Sequence, residues 1–126
     1  MEFNTQQVNN LLTGVILACE LNSNNPKTRR FLTLKSFDIG IDNKRALWDK
    51  TVKSYSRGDK ALFIIHVYSV PAEYIELNYD IDDYDLTENI MINDIIGWTR
   101  LYEELSKIIN DFSILLPQWH CDNPLE

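Results

Sequence analysis

The stretch ALFIIHVYSV, Ala61–Val70, followed at once by Pro71, decides the fold. β-branched and aromatic residues dominate it, and it is apolar on both faces, as a strand covered on both sides must be. Pro71 cannot donate to a sheet ladder and closes the run. The stretch predicts a central β-strand, and the rest of the chain is read outward from it.

Upstream, Phe31 to Ile41 alternates Phe31, Thr33, Phe37, Ile39 and Ile41 with Ser36, Asp38 and Gly40, which predicts a strand. Between the two strands, Asp42-Asn43 can cap a helix whose stripe is Leu47, Trp48, Thr51, Val52 and Tyr55, with Gly58 as its stop. A strand–helix–strand unit of this kind predicts a right-handed crossover and a parallel first pair. Nearer the N-terminus, Asn4 and Gln7 have capping-box spacing. Val8, Leu11, Leu12, Val15, Ile16 and Cys19 repeat at helical intervals and predict a helix from about Thr5 to Leu21. Asn22-Ser23-Asn24-Asn25-Pro26 then reads as a loop.

Downstream, Ile75, Leu77, Tyr79 and Ile81 alternate with Glu76, Asn78, Asp80 and Asp82. That pattern predicts a half-buried strand over Tyr74 to Asp82, with Tyr79 on the core side, hairpinned to the central strand around Pro71-Ala72. Met91, Ile95, Trp98, Tyr102, Leu105, Ile109 and Phe112 step by four and three, predicting a last helix that ends before Pro117. It begins either near Asp85 or, as Gly97 and the Ile90/Ile92 alternation favour, from Asp94 after a short strand over 88–93. The expected architecture is one α+β domain over residues 1–126, in the order α-β-α-β-β-α, with a small mixed sheet packed by helices.

At 126 residues and 44% apolar, the chain can bury a core without disulfides or metals. Charged residues make up 25%, with four Gly and four Pro, which excludes disordered and collagen-like classes. The longest apolar runs are far short of the ~20 residues a membrane helix needs. Ile16-Leu17-Ala18-Cys19 resembles a lipobox, but Met1 to Asn10 carries Glu2 and no Lys or Arg, unlike a secretory leader. Cys19 and Cys121 suggest reduced thiols and a cytoplasmic location.

The net charge of -7 conceals a segregation. Residues 27–60 carry ten basic groups against four acids, whereas residues 61–126 carry two against thirteen. Within the latter, Glu73 to Glu88 holds seven acids and three Tyr with no basic residue. On the strand expectation, Glu76, Asp80 and Asp82 share a solvent face, and Asp83, Tyr84 and Asp85 project from the turn beyond it. Such a surface is either a solvated sheet face or a docking site for a basic protein, in which carboxylates accelerate association and Tyr gives rigid contact area. Candidate partner-binding residues are Tyr74, Glu76, Asp80, Asp82, Asp83, Tyr84, Asp85 and Glu88. A calcium site at Asp80, Asp82 and Asp83 lacks the turn glycine and the closing Glu of a calcium loop.

Catalytic chemistry finds little support. His66 lies within the apolar strand, where a core histidine bonded to Tyr68 on the same face is expected. Trp119-His120-Cys121-Asp122 has no C-x-x-C companion for zinc, and Trp119 is expected to anchor the tail on the core. Glycine-rich phosphate loops and nucleophile elbows are absent from the sequence. Glu103-Glu104 reads as the solvent face of the last helix. No enzyme, cofactor or metal is expected. Lys44, Arg45, Lys50, Lys53, Arg57 and Arg29-Arg30 could neutralise phosphates, but the acidic whole repels polyanions and direct nucleic-acid binding is not expected.

Small size, acidity and the Tyr-studded stretch Glu73–Glu88 give the chain a profile similar to that of immunity proteins of bacterial toxin–immunity pairs, including those of contact-dependent inhibition. The resemblance implies a cognate toxin, often a nuclease, whose basic active site is occluded by acids such as Asp80, Asp82, Asp83 and Asp85 standing where substrate phosphates would bind. A mobile-element protein mimicking nucleic acid against a DNA-handling enzyme would use the same face. A self-assembling protein pairing basic and acidic segments head to tail is the third alternative; otherwise a monomer or weak homodimer is expected.

Overall fold

A computed structural model of the chain describes residues 2–38, 61–77, 79, 81 and 85–121, with side chains at 37 and 38 excepted. The elements are α1 (Thr5–Leu12), β1 (Leu17–Leu21), β2 (Thr28–Asp38), β3 (Ala61–Pro71), α2 (Ala72–Glu76), β4 (Glu88–Ile96), α3 (Trp98–Ser106) and β5 (Leu116–Pro117). Short 3₁₀ turns at Phe112–Ile114 and Gln118–His120 flank β5. The strands form one antiparallel sheet in the order β4-β3-β2-β1-β5. The α+β class expected from the sequence is met, but the sheet is antiparallel throughout rather than mixed. The helix expected after Asp42-Asn43 lies outside the described residues.

The central strand is where the sequence puts it, paired on both sides. β2 and β3 run antiparallel, with Thr28 opposite Pro71 and Asp38 opposite Ala61. The parallel expectation fails here. Asp38 and Ala61 are neighbours across the ladder, so the connection starts and ends at one end of the sheet and no crossover is needed.

Helix α1 begins as its capping box dictates. The Asn4 side chain accepts from the Gln7 N–H at 2.8 Å, and the Gln7 side chain accepts from the Asn4 N–H at 3.0 Å. It stops at Leu12 rather than Leu21. Gly14, at φ 95°, reverses the chain. Its N–H donates to the Leu11 carbonyl at 3.2 Å and that of Val15 to the Asn10 carbonyl at 2.8 Å, the Schellman pattern. Val15, Ile16 and Cys19 therefore do not continue the helical stripe, and 17–21 becomes β1.

The expected strand over Tyr74 to Asp82 and its hairpin at Pro71-Ala72 are also overturned. Ala72–Glu76 is a short helix, closed by Leu77 N–H on the Glu73 carbonyl (2.9 Å) and Tyr79 N–H on the Tyr74 carbonyl (2.8 Å). The partner of β3 is instead β4, which covers the short strand expected at 88–93 and extends it to Ile96. The last helix starts at Trp98 rather than Asp94 and ends at Ser106. The remaining residues of the expected stripe, Ile109 and Phe112, are buried in the turns that follow.

The two faces of the sheet differ. Leu17, Cys19, Leu32, Leu34, Phe63, Ile65, Val67 and Ile95 project into one core with Phe3, Leu11 and Leu12 of the N-terminal part and Trp98, Leu101 and Leu105 of α3. On the other face Phe31, Tyr68 and Val70 form a smaller cluster, against which Ile75, Ile81, Leu86 and Cys121 pack. Two helices thus cover one face, and Ile75 of α2 with Ile81, Leu86 and Cys121 covers part of the second.

Candidate functional site

Of the eight expected binding residues, four are described. Asp80, Asp82, Asp83 and Tyr84 lie outside the described residues. Tyr74 and Glu76 belong to α2 rather than to a strand. Short as it is, α2 forms because Ala72, Glu73 and Glu76 suit a helix and Pro71 ends the ladder just before them. Ile75 is its inward anchor on the Phe31–Tyr68–Val70 cluster. Glu73 and Glu76 are exposed and take part in no ion pair among the described residues. Tyr74 is half-buried, with its ring edge-on to that of Tyr79 at 5.5 Å. Tyr79 was expected in the core, yet it is 54% exposed beside Leu77 at 58%. Only Ile75 and Ile81 of the alternating series turn inward, because a helical turn does not keep period-two facing.

Glu88 behaves differently. At the start of β4 it meets Arg30 of β2, whose Nε donates at 2.8 Å, and the Ser69 hydroxyl at 3.0 Å. The stretch holds no basic residue of its own, but at this carboxylate Arg30, from the basic segment, neutralises it. Arg30 stands two strands away from Glu88, with Ser69 of β3 between them in the ladder. The Arg30 hydrogen bond, opposed by partial burial and reinforced by Ser69, holds the Glu88 carboxyl below the usual glutamate range. A depressed folded pKa contributes stability that is present above the unfolded glutamate pKa and lost as pH falls through the folded one. Arg30→Met is therefore expected to lose about 1 kcal/mol near neutral pH. The gap to wild type should close in acid, as read by urea unfolding at the two pH values. Asp85 is half-buried and engaged in an interaction of its own.

The basic segment is also partly neutralised from within. Arg29 forms a two-pronged pair with Glu20 at 2.6 and 2.9 Å while lying over the Phe31 ring. Neither Arg29 nor Arg30 is thus a bare phosphate contact. Glu104, expected on the solvent face, is buried and meets Arg100 and Lys107, each at 3.3 Å.

His66 is buried, but its partner is Asn89 Oδ1 of β4 at 2.6 Å rather than Tyr68, whose ring lies tilted beside it with centroids 4.9 Å apart. Trp119 does not anchor the tail; it is 68% exposed. Neither Cys19 nor Cys121 is in a disulfide. Burial, with a smaller contribution from Cys121, pushes the Cys19 thiol up to about 12, so it is inert as a nucleophile at neutral pH. Among the described residues no group of three His, Cys, Asp or Glu side chains could hold a metal ion, and no helix is long and apolar enough to cross a membrane.

A second feature was not anticipated from the sequence. β4 is an edge strand of nine residues whose outer side pairs with nothing among the described residues. Ile90 and Met91 on it are exposed. Apolar alternation at Ile90 and Ile92 indicated a strand, but not that it would stand at the border. No family model matches the chain, and no curated protein or solved structure is significantly similar to it.

Proposed function

We propose that this protein is a non-enzymatic inhibitor that binds a basic protein, and specifically an immunity protein that occludes the active site of a cognate bacterial toxin, such as a nuclease. The observation that carries the proposal is the surface built by α2 and the turn after it. There Glu73 and Glu76 stand exposed with no ion pair among the described residues, beside Tyr74, Leu77 and the exposed ring of Tyr79. Exposed carboxylates raise the rate of encounter with a cationic surface, and Leu77 and Tyr79 offer apolar area that contact would desolvate. Asp80, Asp82, Asp83, Tyr84 and Asp85 follow directly in sequence and would extend the same acidic contact. Glu88, held by Arg30, is assigned to stability instead.

In this mechanism the inhibitor performs no chemistry. Its carboxylates take the positions that substrate phosphates would occupy on the toxin, and its aromatic side chains exclude water around them. The test is co-expression with the product of the neighbouring gene. Growth arrest by that product alone, relieved by this chain and not by its Glu73→Lys/Glu76→Lys variant, is the expected result. A neighbour that leaves growth unaffected, or relief undiminished in the double variant, would count against the proposal.

A further inference from the structure

We infer that the outer edge of β4 receives an extended, Lys- or Arg-bearing segment of the partner protein as a sixth strand of the sheet. The inference rests on the proposed inhibitor role for the basic character of the partner, and on β4 alone for the mode of contact.

An edge strand presents a row of N–H and C=O groups that another chain can pair with, and native proteins commonly guard such edges with Lys, Pro or a covering segment. β4 carries neither Lys, Arg nor Pro in its sequence ENIMINDII. Among the described residues its only ladder is with β3. The opposite border is different, since its edge strand β5 has only two residues, Leu116 and Pro117, and the second lacks an N–H.

One guard does exist, at the far end. The register with β3 slips between Phe63 and Ile65, so that Asn93 and Asp94 together stand opposite Ile64, with Asp94 at φ 60°. The regular edge is therefore 88–92, about 17 Å at 3.3 Å per residue. Within it Ile90 (45% exposed) and Met91 (53% exposed) point to opposite faces, so an added strand would cover both.

Charge selects the occupant. No cation lies within β4, and Asp94 is exposed with no ion pair among the described residues. Glu73 and Glu76 follow the end of β3, the end at which β4 begins. A second copy would bring its own charge of -7 against the same -7, whereas a basic segment is attracted.

The probe is a peptide of alternating Lys and Val long enough to span 88–92, added to the full chain and followed by amide hydrogen exchange. Exchange across 88–92 is expected to slow by at least about tenfold at saturation. A Glu–Val peptide should give no protection, and Met91→Lys should abolish it while leaving the thermal melt unchanged. Absence of protection at 88–92, or equal protection by both peptides, would overturn the inference. So would protection without peptide that tracks dimer formation in sedimentation, which would make a second copy the occupant. Retained peptide protection in Glu73→Lys/Glu76→Lys, with toxin neutralisation unaffected by that variant, would fault the inhibitor surface and spare the edge.

Discussion

Truncating Trp98 to alanine should lower the unfolding free energy by about 3–5 kcal/mol, enough to unfold much of a marginally stable domain. Trp98 is fully buried, with ring centroids 5.0 Å from Phe63 and 6.1 Å from both Phe3 and Tyr102. It therefore touches the sheet, the N-terminal segment and its own helix at once. Its position is set by Gly97, which at φ 84° turns the chain from β4 into α3 while its N–H donates to the Ala61 carbonyl at 3.2 Å. No rearrangement of one neighbour can fill the space left behind, because three separate elements line it. Trp119→Ala, removing an exposed ring, should change stability by no more than about 0.5 kcal/mol. Urea unfolding followed by circular dichroism compares the two. Equal losses would contradict this assignment of the core.

The second large effect is expected at Gln7. It is a buried polar residue whose Nε2 donates to the carbonyls of Phe112 at 2.8 Å and Leu115 at 3.0 Å, while Oε1 accepts from Asn4. One side chain thus completes the start of α1 and satisfies two carbonyls more than a hundred residues away in sequence. Gln7→Ala removes the side-chain donor to the Leu115 carbonyl and leaves the Phe112 carbonyl with only the Leu115 N–H at 3.1 Å, and it should cost about 2–3 kcal/mol. Asn4→Ala removes only the cap and should cost about 1 kcal/mol. A Gln7 variant no less stable than the Asn4 variant, in the same urea titration, would show that the long-range bonds contribute nothing.

The parts of this fold legible in the sequence are those fixed by neighbours along the chain. The Asn4/Gln7 box and the strand Ala61–Pro71 need only local spacing and composition, and both are present. Two errors share one cause: apolar spacing does not name its own period when a short buried strand follows a helix. Val15, Ile16 and Cys19 continued the intervals of α1, although Thr13-Gly14 already carried the stop signal. The bulge at Asp94 had a similar effect at the other end. It places Ile92 and Ile95 on the same face three residues apart, which imitates a helical repeat inside a strand.

The acidic surface was legible as composition but not as shape. Exposure of Glu73 and Glu76 follows from their charge, whereas the helical turn that presents them depends on Pro71 ending the ladder and Ile75 finding the Phe31–Tyr68 cluster. The Arg30–Glu88 pair joins groups 58 residues apart and required the strand order, which no local pattern encodes.

The most direct test is a stopped-flow measurement of association between the product of the neighbouring gene and this protein, across a salt series. An open acidic surface on α2 predicts fast association at low salt, slowed as salt rises, and about tenfold slower for Glu73→Lys/Glu76→Lys. Rates independent of salt and identical for the two proteins would contradict it.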